Sequence, residues 1–177
     1  AQLQVTSDVR EASLAEESHL VTGGTAGLGL LTGRWLSQRG AAHLVLASRG
    51  GKLASDTASE WEGVQATSAM IALERCDTGE VKHVRRLVAF VPPPLQGVWH
   101  AAGALADAML EKQTAAGLAF VYAPKAHGAW SLHETASTFG VRTCAFFSSV
   151  AALLGGAGQA NYAAANTCLD ALASCRR

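Results

Sequence analysis

From His19 onward, short apolar runs that end in Gly or Ser alternate with longer stretches in which apolar residues recur at helical spacing. The runs HLVTGG, HLVLASRGG, GVWHAAG and TCAFFSS read as strands. Between them, 28–39 predicts a helix with Leu28, Leu31, Trp35 and Leu36 on one side and Gly40 at its end, and 79–90 a second with Val81, Val84, Leu87 and Val88 on its apolar face. The stretch 52–66, with Trp61 and Val64, is a third candidate helix, and the alternation in TSAMIALER over 67–75 predicts a further strand. Pro92, Pro93 and Pro94 stop the second helix and open a loop before the strand Gly97–His100. Alternating strands and helices predict an α/β fold, a doubly wound parallel sheet with helices on both faces, about five strands in the order 3-2-1-4-5. The polar, acidic text of 1–18 reads as a linker, and 19–177 as one domain.

Composition narrows the classes. With 177 residues, 49% of them hydrophobic, the chain fills one core. A formal net charge of +0, with Lys and Arg only singly or in pairs, argues against nucleic acid or a membrane surface as partner. Cys76, Cys144, Cys168 and Cys175 lie far apart without a CxxC pair, which favours reduced thiols in a cytoplasmic setting. No apolar run approaches the ~20 residues of a membrane helix, and His100, His127 and His133 lack companions at ligand spacing, so no metal is expected. The chain starts at Ala1 rather than Met, and is expected to be cut from a longer polypeptide or processed.

The turn after the first strand reads GGTAGLG. Small residues at Gly23, Gly27 and Gly29 let backbone N–H groups approach a pyrophosphate at a helix N-terminus, the device of Rossmann-like dinucleotide sites. The spacing TGxxxGxG is the short-chain reductase variant, and the flanking strand and helix fit it. Cofactor choice is made at the end of the second strand, where the text is Ala47-Ser48-Arg49. A carboxylate there would bind a ribose 2′-hydroxyl and repel a 2′-phosphate. Arg49 instead offers a fork of donors and Ser48 a hydroxyl, which points to NADPH.

Reducing a ketone develops charge on the carbonyl oxygen, so the site needs a proton donor and a positive field there. A phenol has a pKa of about 10, which a nearby ammonium can lower. Tyr162, in GQANYAAAN, opens an alanine-rich helix that carries Asn166 on the same face. Thirteen residues earlier, Ser149 ends the run TCAFFSS, where a strand end faces the cofactor crevice. Ordinary short-chain reductases place their lysine four residues after the tyrosine, where this chain has Asn166. The best remaining source of an ammonium is Lys125, in VYAPKAHGAWSLHE.

With lysine and asparagine exchanged in this way, the chain resembles the ketoreductase (KR) domains of modular polyketide synthases and animal-type fatty acid synthases. The likeness runs from about His19 to the end, through LVTGGTAGLG, LVLASRGG, RCD, GVWHAAGALADAML, the Lys125 segment, FFSSVAALLGGAGQANYAAAN and LDALA. It implies a catalytic tetrad of Lys125, Ser149, Tyr162 and Asn166. The cofactor would lie on Thr22, Gly23, Gly24, Thr25, Gly27, Leu28 and Gly29, on Ser48 and Arg49, and on Cys76. Asp77 would contact adenine, and His100 with Ala101, Ala102 and Gly103 would line the cofactor.

The implied substrate is a β-ketoacyl chain on the phosphopantetheine arm of an acyl carrier protein, with other domains of the same synthase as partners. Leu105-Ala106-Asp107 keeps the last residue of the LDD signature of one stereochemical group. Leu154 stands where the opposite group tends to have tryptophan, and Asn161 suits the first group, so the text leans to the LDD-like type. The resemblance also implies that two more strands and a covering segment would follow Arg177, and that the isolated chain binds NADPH poorly and turns over slowly. Two other readings remain: a stand-alone reductase of a small ketone, and a non-catalytic domain bracing a synthase.

Overall fold

A computed structural model describes residues 17–176, so the expected linker falls outside the described residues up to residue 16, as does Arg177. The chain alternates β1 (Ser18–Thr22), α1 (Gly27–Gln38), β2 (His43–Ser48), α2 (Ala58–Gln65), β3 (Met70–Arg75), α3 (Val81–Phe90) and β4 (Leu95–His100). After a short 3₁₀ turn at Leu110–Lys112 come α4 (Ala115–Tyr122), a π-helical turn (Ala123–His127) and α5 (Gly128–Ser137). The remaining elements are β5 (Thr143–Phe146), α6 (Ala151–Leu154) and α7 (Ala160–Cys175).

All strand pairs are parallel and the order is β3-β2-β1-β4-β5, as the sequence pattern predicts. β1 is central and buried along its whole length, which is why its text is a continuous apolar run rather than an alternation. Its successive residues feed opposite faces of the sheet. Leu20 joins Val84, Leu87, Val98 and Leu132 under α3 and α5, while Val21 joins Leu30, Leu36, Leu46 and Val64 under α1 and α2. A smaller cluster of Ala129, Leu169 and Leu172, with Phe146 against it, docks α7. No helix among the described residues is long and apolar enough to cross a membrane.

The buried face of α1 differs from the one read from its large residues. Leu28, Leu31 and Trp35 are largely exposed, and the sheet receives Gly29, Leu30, Gly33 and Leu36. The cause is closeness: a Cβ on Gly33 would sit 2.9 Å from a Leu46 methyl and one on Gly29 would meet the Gly23 backbone, so Gly33 lets the helix approach the strands and Gly29 the turn before it. α3 follows its prediction at Val84, Leu87 and Val88, but Val81 in its first turn stays exposed. α2 is shorter than 52–66 and buries Val64, with Trp61 packed against the α1 side of the core.

The sheet reverses direction of growth between β1 and β4, where Thr22 lies opposite Ala47 on one side and His100 on the other. Crossovers leave in opposite directions from this point and open a crevice at the strands' carboxyl ends. The glycine turn, Ser48, Arg49, the Ala101–Gly103 backbone, Lys125 and Tyr162 line this crevice and its extension.

Candidate active site

The turn from β1 into α1 is held by backbone fit. Gly23 has φ +71°, and a Cβ there would lie 2.6 Å from the Ala101 carbonyl carbon, so the turn rests directly on the strand end of β4. A Cβ on Gly29 would collide with the carbonyl oxygen of Gly23. Gly24 donates its N–H to Ala47 O at 3.1 Å, tying the turn to β2. By contrast, Gly27, at φ +48°, has nothing within 4 Å of where a Cβ would be.

Over this turn lies a cleft of about 670 Å³ whose floor includes Gly23, Thr25, Gly27, Leu28 and Gly29. Its walls are Ser48, Arg49, Cys76 and the Ala101–Gly103 backbone. The N-cap of α1, Ala26, has no side-chain acceptor and the first turn carries no acid, so the helix presents unneutralised N–H groups there. This chemistry fits the pyrophosphate of a nicotinamide dinucleotide. Thr22 is fully buried beneath the turn, and Gly24 packs on Leu46; neither lines the cleft. Lys52 and Thr78, which the sequence reading did not single out, do line it.

Beyond Arg49 the cleft adjoins a second hollow of about 340 Å³, lined by Arg49, Arg75, Asp77, His83 and Arg86. Asp77 is therefore placed here rather than on the cleft wall; its carboxylate accepts the Gly79 N–H at 3.0 Å. Arg86 donates to Arg75 O at 2.7 Å, and the Arg49 guanidinium lies 5.5 Å from the Phe120 ring centroid. The Ser48 hydroxyl accepts from Gly51 N at 3.1 Å, shaping the loop that follows β2. This end of the cleft is rich in guanidinium groups, suited to a doubly charged anion. Burial pushes the Cys76 thiol up to about 11, with Asp77 adding to the shift, so Cys76 acts as a neutral wall.

At the other end the cleft continues into a hollow of about 350 Å³ lined by Lys125, Tyr162, Phe147, Ser148 and Leu105; Leu28, Ala101 and Gly103 belong to both. Lys125 comes from the π-helical turn. Pro124 has no N–H and its ring crowds the preceding helical turn, and the widened turn accommodates it. Lys125 is only 4% exposed; its ammonium donates to Phe147 O at 2.9 Å and lies 5.3 Å from the Tyr162 ring centroid. Burial brings its pKa down to about 8, partly opposed by the charge of Asp170.

Tyr162 sits in the first turn of α7, and Asn166 follows one turn later. The Asn166 amide donates to Tyr162 O at 2.8 Å, while its buried Oδ1 has no hydrogen-bond partner. The Leu105–Asp107 stretch is tied to the α7 entrance: Asn161 donates to Ala106 O at 2.8 Å and Gln159 to the Asp107 carboxylate at 3.1 Å.

Lys125 and Tyr162 thus meet, from elements distant in sequence, while Asn166, one turn along the same helix as Tyr162, is buried and does not line the hollow. Ser149 lies three residues past the end of β5, where its hydroxyl accepts the Ala151 N–H at 3.2 Å at the start of α6. The serine lining the hollow is its neighbour Ser148, which also reaches Asn166 O at 3.4 Å. His100 is fully buried and faces the lysine turn rather than the cleft.

A model of the KR domain family matches residues 17–177. The chain is 45% identical over 162 residues to the spectinabilin polyketide synthase system protein NorB of Streptomyces orinoci, which covers 89% of this chain and 8% of that protein. It is 39% identical over 159 residues to erythronolide synthase EryA2 of Saccharopolyspora erythraea, covering 89% of this chain and 4% of that one. Among solved structures, an A1-type ketoreductase superposes with a TM-score of 0.86 at 37% identity, over 93% of this chain and 35% of that one. The chain therefore spans a small part of the synthases it resembles. Sheet order, glycine turn, exchanged lysine and these similarities lead to one assignment: the chain belongs to the KR domain family, the ketoreductases of modular polyketide synthases.

Proposed function

We propose that this chain performs the NADPH-dependent reduction of a β-ketoacyl thioester, carried on the phosphopantetheine arm of an acyl carrier protein, to the β-hydroxyacyl form. The observation that carries this is the Lys125 ammonium facing the Tyr162 ring at 5.3 Å, in a hollow continuous with the dinucleotide cleft. When bound, the cofactor supplies a hydride to the ketone carbon. Tyr162 gives its phenolic proton to the ketone oxygen as that oxygen becomes an alkoxide, and the Lys125 ammonium stabilises the phenolate left behind. Asn166 donates to Tyr162 O one turn back, and its buried Oδ1 remains an unpartnered acceptor behind the hollow rather than on its wall. Ser149 is assigned to the ketone oxygen by its place in the family motif, and its separation from the hollow makes Ser148 the competing hydroxyl.

Arg49, Ser48 and the neighbouring Arg75 favour a 2′-phosphate, hence NADPH over NADH. Cys76, Cys144, Cys168 and Cys175 all carry free thiols, which accords with a cytoplasmic synthase. Asp107, held at the entrance to α7 by Gln159, supports the LDD-like hand for the product.

The test is NADPH oxidation by the full native polypeptide, with a β-ketoacyl thioester and a simple cyclic ketone compared. Preference for the thioester, abolished in Tyr162→Phe, is expected. Equal use of both substrates favours a general reductase, and no oxidation with either favours a bracing role.

A further inference from the structure

Among the described residues, His100 is the largest fully buried polar side chain that the mechanism above leaves without a task. It is 0% exposed at the carboxyl end of β4, and its ring bridges two elements. Nε2 lies 3.2 Å from Lys125 O and Nδ1 2.7 Å from the Thr22 hydroxyl. A carbonyl oxygen only accepts, so Nε2 carries the proton; Nδ1 is then bare and accepts from Thr22. Burial drives the pKa of His100 down to about 4, so the ring stays neutral and the tautomer is fixed.

The π-helical turn explains why Lys125 needs this support. Within it the Gly128 N–H reaches Ala123 O and Lys125 O, and Pro124 offers no N–H at all. Side chains from below add to these backbone bonds: Thr78 donates to Pro124 O at 3.1 Å, and His100 to Lys125 O. The lysine backbone is thereby tied to the sheet, while its side chain reaches over to Phe147 O and the Tyr162 ring. Thr22, at the far end of this chain of bonds, immediately precedes Gly23 of the nucleotide turn.

We propose that His100, held in one tautomer by Thr22, is a positioning residue that fixes Lys125 against Tyr162 and links the nucleotide turn to the reducing end of the site. This rests on the reading of Lys125 as the ammonium of the reaction.

In the full native polypeptide, kcat with a β-ketoacyl thioester and NADPH affinity by nucleotide fluorescence are measured for His100→Leu, His100→Gln, Thr22→Val and Lys125→Met. His100→Leu is expected to lower kcat tenfold or more with NADPH affinity within twofold of wild type. His100→Gln, whose amide presents an N–H toward Lys125 O, restores most of that loss, and Thr22→Val lowers kcat two- to fivefold. On the Lys125→Met background, His100→Leu adds no further loss, because the two act as a unit. Should His100→Leu fail to fold, the His100→Gln and Thr22→Val pair carries the test through the same kcat and affinity readings.

An unchanged kcat in His100→Leu overturns the proposal. So does a loss in His100→Leu that is as large on the Lys125→Met background as in wild type, or one that tracks a matching fall in NADPH affinity. Wild-type kcat in Lys125→Met itself would overturn the role of the lysine first, and the positioning role with it.

Discussion

The two ends of the cleft are built on different principles. The nucleotide end is made of backbone: glycines pressed against Ala101 and Leu46, bare N–H groups at the start of α1, and a strand end that serves as a wall. The proposed reducing end is made of side chains from separate elements, with Lys125 from the π-helical turn, Tyr162 from α7 and Ser148 from the loop after β5. Backbone shape tolerates any side chain that adds no atoms, whereas the reducing end tolerates any backbone that brings the same functional groups together. Under the proposed reaction, substitutions are expected to fail differently at the two ends, one losing binding and the other losing turnover.

Tyr162→Phe is expected to break the reducing end most completely, lowering kcat by roughly 10²- to 10⁴-fold. NADPH affinity, read by nucleotide fluorescence, should stay unchanged, and a matching loss of binding would erase the distinction between the ends. Gly29→Ala is the counterpart at the nucleotide end. Its new methyl meets the Gly23 carbonyl, costing about 1–3 kcal/mol in thermal or denaturant unfolding together with the loss of nucleotide binding.

The charge of Lys125 gives a pH signature that belongs to the reducing end alone. With its pKa brought to about 8 by burial, the ammonium is present below that pH and lost above it. On the alkaline side kcat should fall about tenfold per pH unit, while NADPH affinity follows no such limb. A flat kcat profile from pH 7 to 10 would count against the lysine.

Arg49→Ala should weaken NADPH by about tenfold and leave NADH nearly untouched, by competition titration, as expected when one charge-assisted contact is lost. Equal weakening of both would move Arg49 out of the 2′-phosphate role. The smallest effect belongs to Gly27→Ala. The site is open, so only the positive φ is penalised, by about 1 kcal/mol in an unfolding titration.

The sheet was legible because its central strands β1 and β2 carry apolar runs, β3 an alternation, and helical stretches separate the strands; the order β3-β2-β1-β4-β5 then follows the doubly wound pattern. The face of α1 was not, since Gly29 and Gly33 contribute no hydrophobicity of their own and matter only through how near they bring the helix to the Gly23 turn and to Leu46 respectively. Lys125 could be named from the absence of a lysine at position 166, yet nothing in its local text announces a π-helical turn beyond Pro124. His100 looked like a wall of the cleft because it precedes Ala101 in the strand text, while strand alternation sends its ring the other way, toward Lys125 O. Arg75, His83 and Arg86 belong to two elements, β3 and α3, and only the tertiary fold shows that they share a hollow with Arg49.

The path from Thr22 through His100 to Lys125 also bears on the order in which the molecule becomes useful. Thr22 and His100 stand 78 residues apart, and Tyr162 arrives later still, on the last helix. The nucleotide turn needs only the first strand, the helix after it and the strand ends beside them. A chain folded that far would still lack Tyr162, so under the proposed reaction turnover requires folding to have proceeded at least as far as α7.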